Sequence, residues 1–223
     1  MKVLSIDIGI LHLGLSVSDI NEDYTLNKIT HIDMIDITSF VHKKISFSEC
    51  TLYHTRTISD WILHVIQENK EYFDTADVIL IERQPPGTFV AIEQFIFSIF
   101  RDKAILLSPR VLHCHFKIQH LSYDDRKKFI VDKALSELSD ELKIKLSLFE
   151  RAHDIADSIC FTLYWICVKK NEYDKQQKIL RIEQNIGNDG LNPFERIEQY
   201  RYKGRNKKTD NPDNLLVYNY LLS

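Results

Sequence analysis

Residues 1–20 read MKVLSIDIGILHLGLSVSDI, and this stretch decides the fold. Residues 3–8 (VLSIDI) are apolar and rich in β-branched side chains, which is typical of a strand, and the alternation over residues 13–19 predicts a second strand. Gly9 and Gly14 are expected to bracket the turn between them. The chain is therefore predicted to begin with a β-hairpin.

Beyond the hairpin, apolar residues recur with strand and helix periods in turn. Strands are predicted at 29–37, 77–82 and 104–107, helices at 57–69, 90–100, 123–138 and 152–168, and either a strand or a loop at 111–116. This order indicates an α/β fold with a mixed five-stranded sheet, in which three antiparallel strands precede parallel strands and helices cover both faces.

The composition changes near residue 170. Residues 1–170 contain most of the apolar segments and are predicted to form one domain, whereas residues 171–223 are expected to form a polar, basic extension with one or two short elements. The stretch from 196 to 208 carries one acidic residue, Glu198, and six basic ones: Arg196, Arg201, Lys203, Arg205, Lys207 and Lys208. This local charge contrasts with the rest of the chain.

The overall charge and the cysteines limit the possible classes of protein. The formal net charge is -3, so the chain lacks the broad positive field of the most obvious nucleic-acid binders. Its four cysteines form no CxxC pair, which favours a reducing intracellular compartment over a secreted disulfide scaffold. No run reaches the roughly 20 apolar residues of a membrane-spanning helix, so we expect no membrane association.

Four acidic residues stand where apolar packing would not require them. Asp7 lies between isoleucines in the first strand, Glu82 ends a buried strand, and Asp154 and Asp157 share one face at the start of an apolar helix. Each has an ordinary structural explanation alone, as a turn residue, an ion pair or a helix cap. Together they would concentrate negative charge that divalent cations could neutralise.

Hard carboxylate oxygens favour Mg²⁺ or Mn²⁺. The chemistry that fits four such ligands is phosphodiester hydrolysis with two ions per active site. Asp7 is the candidate bridging ligand, and Glu82, Asp154 and Asp157 would complete the coordination.

Three short motifs resemble those of a known family. SIDIG around Asp7, LIERQPPG around Glu82 and AHDIADSI around Asp154 and Asp157 resemble the acidic motifs of RuvC-type Holliday junction resolvases. The sequences ERQP, SYDDRKK and DIADS are closer still to the poxvirus-type branch. The resemblance covers roughly residues 1–170.

The resemblance implies an RNase H-like fold and a homodimer that nicks four-way DNA junctions symmetrically. In relatives, the helix that corresponds to residues 90–100 contributes to the dimer contact. The resemblance also makes Lys128, more than Lys127, a candidate for contact with the scissile phosphate and for a catalytic role. Arg83 and Arg126 are further candidates for DNA binding.

Several alternatives remain open. The same acids would serve an RNase H-like nuclease acting on other branched DNA or on RNA/DNA hybrids, and a junction-binding module without catalysis is also conceivable. Arg201, Lys203 and Arg205 could bind DNA or belong to a charged tail that makes no contact. A viral origin would place the protein in the host cytoplasm or a virus factory, or in the virion.

Overall fold

The computed structural model of the protein describes residues 1–9, 11–39, 50–55, 57–87 and 89–187, with side chains as far as Arg181. The chain divides into two units, Met1–Lys170 and Asn171–Ser223, and only helical residues up to Gly187 are described in the second. In these described ranges, no helix is long and apolar enough to cross a membrane.

The first unit is built on one mixed five-stranded sheet in the order β3-β2-β1-β4-β5. Its strands are β1 (Lys2–Ile8), β2 (His12–Ile20), β3 (Leu26–Asp36), β4 (Val78–Glu82) and β5 (Ala104–Leu107). Strands β1, β2 and β3 pair antiparallel, whereas β4 pairs parallel with both β1 and β5. The predicted sheet, with three antiparallel strands followed by parallel ones, is therefore confirmed.

Seven helices accompany the sheet in the part of the chain that the structure describes. They are α1 (Ile58–Glu68), α2 (Lys70–Thr75), α3 (Val90–Ile99), α4 (Pro109–His115), α5 (Tyr123–Glu137), α6 (Asp140–Ser147) and α7 (Ala152–Gly187). The helices expected from periodicity near α1, α3 and α5 are all present. Helices α2 and α6 are short elements that the sequence did not predict.

Two expectations about helices were wrong. Residues 111–115 are neither strand nor loop but part of α4, and Phe116 is its C-cap. Ser108 caps the N-terminus of this helix by accepting a hydrogen bond from the Arg110 amide, and Pro109 supplies the favoured first residue. Helix α7 does not end near residue 168 but continues to Gly187. Its later residues lack an apolar stripe, so hydrophobic periodicity could not reveal them.

The core lies on both faces of the sheet, as the alternation of strand side chains requires. On one face, Leu4, Ile79 and Ile81 pack against α1, α2 and α3. On the other face, Val3 and Leu80 pack against α4 to α7. The expectation of helices on both faces is confirmed. Side chains at odd-numbered positions of β1 and at even-numbered positions of β4 lie on the face that α7 covers.

Candidate active site

The four acidic residues line one cavity of about 270 Å³ at the carboxyl ends of β1 and β4. Asp7 and Glu82 lie near the ends of these neighbouring parallel strands, on the face that α7 covers. Asp154 and Asp157 come from the first turns of α7. The structure thus brings together carboxylates from three elements that are far apart in the sequence.

Gly14 allows α7 to approach the sheet this closely. It pairs with Asp7 across the β1–β2 hairpin, and a Cβ atom at this position would lie 2.3 Å from the carbonyl oxygen of Asp154. Gly14 therefore lies inside β2, two residues after its start at His12, and does not end the turn as the sequence suggested. Its missing side chain is what allows Asp154 to lie beside the end of β1.

Burial and mutual repulsion make the strand carboxylates costly to ionise. Asp7 is 7% exposed, and burial followed by repulsion from Glu82 raises its pKa well above the usual value. Burial also raises the pKa of Glu82, although this carboxylate accepts hydrogen bonds from the Ile8 amide (3.1 Å) and from Asp7. The pair is therefore arranged to share a proton or to gain a cation.

Two cationic side chains and one imidazole contact the helix carboxylates, and the imidazole is that of His153, whose Nε2 lies 3.0 Å from Asp154 Oδ1. Lys127 Nζ donates to Asp157 Oδ2 at 2.8 Å, and Arg151 Nε donates to Asp154 Oδ2 at 2.7 Å. Burial raises the pKa of Asp157 even though Lys127 lies beside it. Burial opposes the charge of Lys127 as well, but attraction to Asp157 outweighs that cost and its pKa is raised.

A partly buried hydrogen-bond chain orients Glu82. The side-chain amide of Gln84 donates to Glu82 Oε2 at 2.6 Å and lies 3.3 Å from the carbonyl oxygen of Ile8. The backbone amide of Gln84 in turn donates to Glu93, which is only 2% exposed in α3, at 2.5 Å. Helix α3 therefore fixes the segment that follows β4.

The predicted DNA-binding residues occupy different places. Lys127 and Arg126 line the cavity, whereas Lys128 is exposed on α5 and Arg83 is exposed after β4, and neither of these two lines it. The structure thus brings Lys127, and not the preferred Lys128, to the carboxylates. Arg201, Lys203 and Arg205 lie outside the described residues.

Sequence reasoning missed three cavity or support residues. Arg151 precedes Asp154 by three positions, which is a spacing that permits a contact at the start of a helix. His113, which lines the cavity, could not be placed there while α4 was read as a strand or loop. Gln84 stands two positions after Glu82, but only the turn after β4 folds its amide back onto that carboxylate.

Comparisons with known structures define the fold class. A fowlpox virus resolvase, solved in complex with its substrate Holliday junction DNA, is 22% identical with a TM-score of 0.53, over 74% of this chain and 97% of the other. The yeast mitochondrial Holliday junction resolvase Ydc2 is 19% identical with a TM-score of 0.56, over 80% and 85%. The fold is RNase H-like, as in these two resolvases.

The family follows from the sequence. The model of the family described as Poxvirus A22 protein matches residues 1–170, and the chain belongs to that family. The resemblance of its motifs to the poxvirus-type branch is thereby confirmed. A search of curated proteins found no match.

Proposed function

We propose that the protein is an endonuclease that resolves four-way DNA junctions by metal-dependent phosphodiester hydrolysis. The observation that carries this proposal is the cavity in which Asp7, Glu82, Asp154 and Asp157 meet. Membership of a poxvirus family and a fold shared with Holliday junction resolvases support it. Both similar structures bear the name of this activity, which restricts the wide range of RNase H-like functions.

The donor set suits divalent cations. Four carboxylates supply hard oxygen ligands. Burial first, and repulsion between neighbouring carboxylates second, raises the pKa values of Asp7, Glu82 and Asp157, and a bound cation would offset both effects. These four side chains would hold Mg²⁺ or Mn²⁺, two ions per site. Such ions supply an activated water and stabilisation of the leaving oxygen.

The remaining residues position these carboxylates and balance their charge. Gln84 holds the Glu82 carboxylate against the end of β1, and Arg151 fixes the rotamer of Asp154. Lys127 lies close enough to Asp157 to contact a phosphate that enters the cavity, so it replaces Lys128 as the proposed catalytic lysine. Arg126 also lines the cavity and is proposed to contact the same phosphate backbone.

We propose a homodimer formed partly through α3. One side of this helix packs on the sheet through Ile92 and Ile96, while Ile99 is 42% exposed and Phe95 and Phe97 are only half-buried. An exposed apolar group at this place fits a subunit contact. Two such active sites would cut opposite strands of one junction.

The basic residues of the extension, Arg201, Lys203 and Arg205, are proposed to add phosphate contacts. They would partly compensate for the acidic net charge of the whole chain. As a member of a poxvirus family, the protein is proposed to act on viral DNA within the host cell, in the cytoplasm or virus factories.

The test is cleavage of a supercoiled plasmid with a cruciform and of synthetic four-way, flap, RNA/DNA hybrid and linear substrates in Mg²⁺. We expect linear plasmid from paired nicks, preference for the four-way substrate, and no cleavage by the Asp157→Asn variant. Asp132→Asn, which changes an exposed acid on α5, is the matched control and should cleave normally.

Each alternative predicts a different result. Preferred cleavage of flaps or hybrids would replace the junction assignment, and junction binding without cleavage in any divalent metal would indicate a binding module. The dimer would be refuted if the protein sediments as a monomer and converts the plasmid to nicked circles without linear product. An Ile99→Asp variant should convert paired nicks to single nicks if α3 forms the contact.

A further inference from the structure

Three side chains with nitrogen and sulfur donors cluster beside α1. Cys50, His54 and His64 each offer one ligand atom, and these atoms lie within 4.8 Å of one another. His64 is 5% exposed in α1, whereas Cys50 and His54 are half-buried in the segment before it. None of the three lines the carboxylate cavity. The cluster is therefore a separate candidate site.

The segment that carries Cys50 and His54 is fastened to α1 by side chains of that helix. The buried carboxylate of Asp60 accepts hydrogen bonds from the Thr55 amide at 2.9 Å and from the Thr55 hydroxyl. His64 Nε2 lies 3.3 Å from the carbonyl oxygen of Tyr53. These contacts hold the donor-bearing segment against the helix without any metal.

The geometry of the two imidazoles supports a shared ligand. The rings of His54 and His64 lie 4.9 Å apart between centroids and are tilted by 42°. A histidine that binds a metal commonly directs its second ring nitrogen to a backbone carbonyl, which is the kind of contact that His64 makes with Tyr53. Packing of the rings alone would not require a thiol beside them.

We propose that Cys50, His54 and His64 bind one Zn²⁺ ion. A thiolate and two imidazoles are ligand types that zinc commonly takes in proteins. Three protein ligands leave the fourth tetrahedral position to a water molecule or a further donor. The ion would tie the segment before α1 to that helix and take no part in cleavage.

The site can be tested on the full chain with Zn²⁺ and Co²⁺ as probes. We expect about one zinc per chain after dialysis, measured by elemental analysis, and a near-ultraviolet thiolate-to-cobalt charge-transfer band when Co²⁺ replaces zinc. Cys50→Ser should remove the band and weaken zinc binding at least about tenfold. The exposed Cys114 provides the matched control, because Cys114→Ser should retain both.

Two further variants separate this site from the carboxylates and from unfolding. Asp157→Asn should keep the cobalt band, and His54→Gln should lose zinc while its circular dichroism stays that of the wild type. Zinc should raise the melting temperature of the wild type but not of Cys50→Ser. A wild-type chain without a thiolate band, or a band that survives Cys50→Ser, would overturn the proposal.

Discussion

At the scale of single residues, the candidate site contains a carboxyl group that is costly to ionise. Asp7 is buried next to Glu82, and its pKa is raised by desolvation first and by Glu82 second. A buried acid whose folded pKa exceeds its unfolded value destabilises the fold as the pH rises through that interval. Asp7 therefore lowers the free energy of unfolding at neutral pH, and the same carboxylate gives the site its attraction for cations.

Replacing Asp7 by an amide, in the Asp7→Asn variant, should remove this cost of ionisation and stabilise the fold. Without metal at pH 7, we expect its melting temperature to exceed that of the wild type by about 2–4 °C, the shift that about 1 kcal/mol produces in a chain of this size. The difference should shrink below pH 4, where Asp7 is protonated in both states. Thermal unfolding in the presence of a chelator, at pH 7 and below pH 4, measures the difference in melting temperature and its decrease. The Asp132→Asn variant is the control.

Cleavage activity should move in the opposite direction. The Asp7→Asn variant should be inactive although it is more stable, because an amide supplies a weaker metal ligand than a carboxylate. A variant less stable than the wild type in chelator would contradict the account of Asp7 as a buried acid that is costly to ionise.

Lys127 and Lys128 provide a second test at this scale. Lys127 contacts Asp157 inside the cavity, whereas its neighbour is exposed. Lys127→Ala should lower kcat roughly 100-fold, the usual effect of removing one group that stabilises transition-state charge. Lys128→Ala should leave kcat nearly unchanged and mainly reduce the salt dependence of DNA binding. Single-turnover cleavage over a salt series distinguishes them, and equal loss of kcat would contradict the assignment.

At the scale of elements, the contact between β2 and α7 brings the acids together. Gly14→Ala would place a methyl group 2.3 Å from the Asp154 carbonyl oxygen and 2.8 Å from the Ile155 nitrogen. Backbone atoms cannot rotate away, so we expect a loss of about 1–3 kcal/mol in the free energy of unfolding. Cleavage should fall as well, because α7 must shift from β1.

Denaturant unfolding and cleavage measure these two effects of Gly14→Ala. Ser18→Ala is the control, since it lies in the same strand, is fully buried, and adds no atom. If Gly14→Ala has the stability and activity of the wild type, the close approach of α7 to β2 is not needed.

Periodicity predicted the strands and most helices because their apolar faces are buried on one sheet. It also marked Asp7 and Glu82, which interrupt or end buried strands. It failed where a cap decides the structure, as Ser108 does for α4, and where no apolar stripe exists, as in the later part of α7.

Contacts that depend on the fold were also beyond sequence reasoning. Neither the close approach of α7 at Gly14 nor the hydrogen bond that the Gln84 amide, after β4, donates to Glu93 in α3 has a local sequence signal. Lys127 and Lys128 are adjacent in the chain, and only the orientation of α5 decides which one reaches Asp157.

At the scale of the whole molecule, the sheet separates the proposed catalytic site from the proposed zinc site and subunit contact. The face covered by α7 carries the carboxylates, Lys127 and Arg151. The opposite face carries α1, beside which Cys50, His54 and His64 cluster. It also carries α3, in which buried Glu93 supports the segment after β4 and exposed apolar residues are proposed to contact a second subunit. A subunit contact at α3 would therefore lie two hydrogen bonds away from Glu82.

The most direct test of the central claim is a crystal structure of the protein with Mn²⁺, analysed by anomalous scattering. We predict two peaks in the cavity, roughly 3.5–4 Å apart, within ligand distance of Asp7, Glu82, Asp154 and Asp157. An occupied manganese site elsewhere, with none among these four carboxylates, would contradict the account.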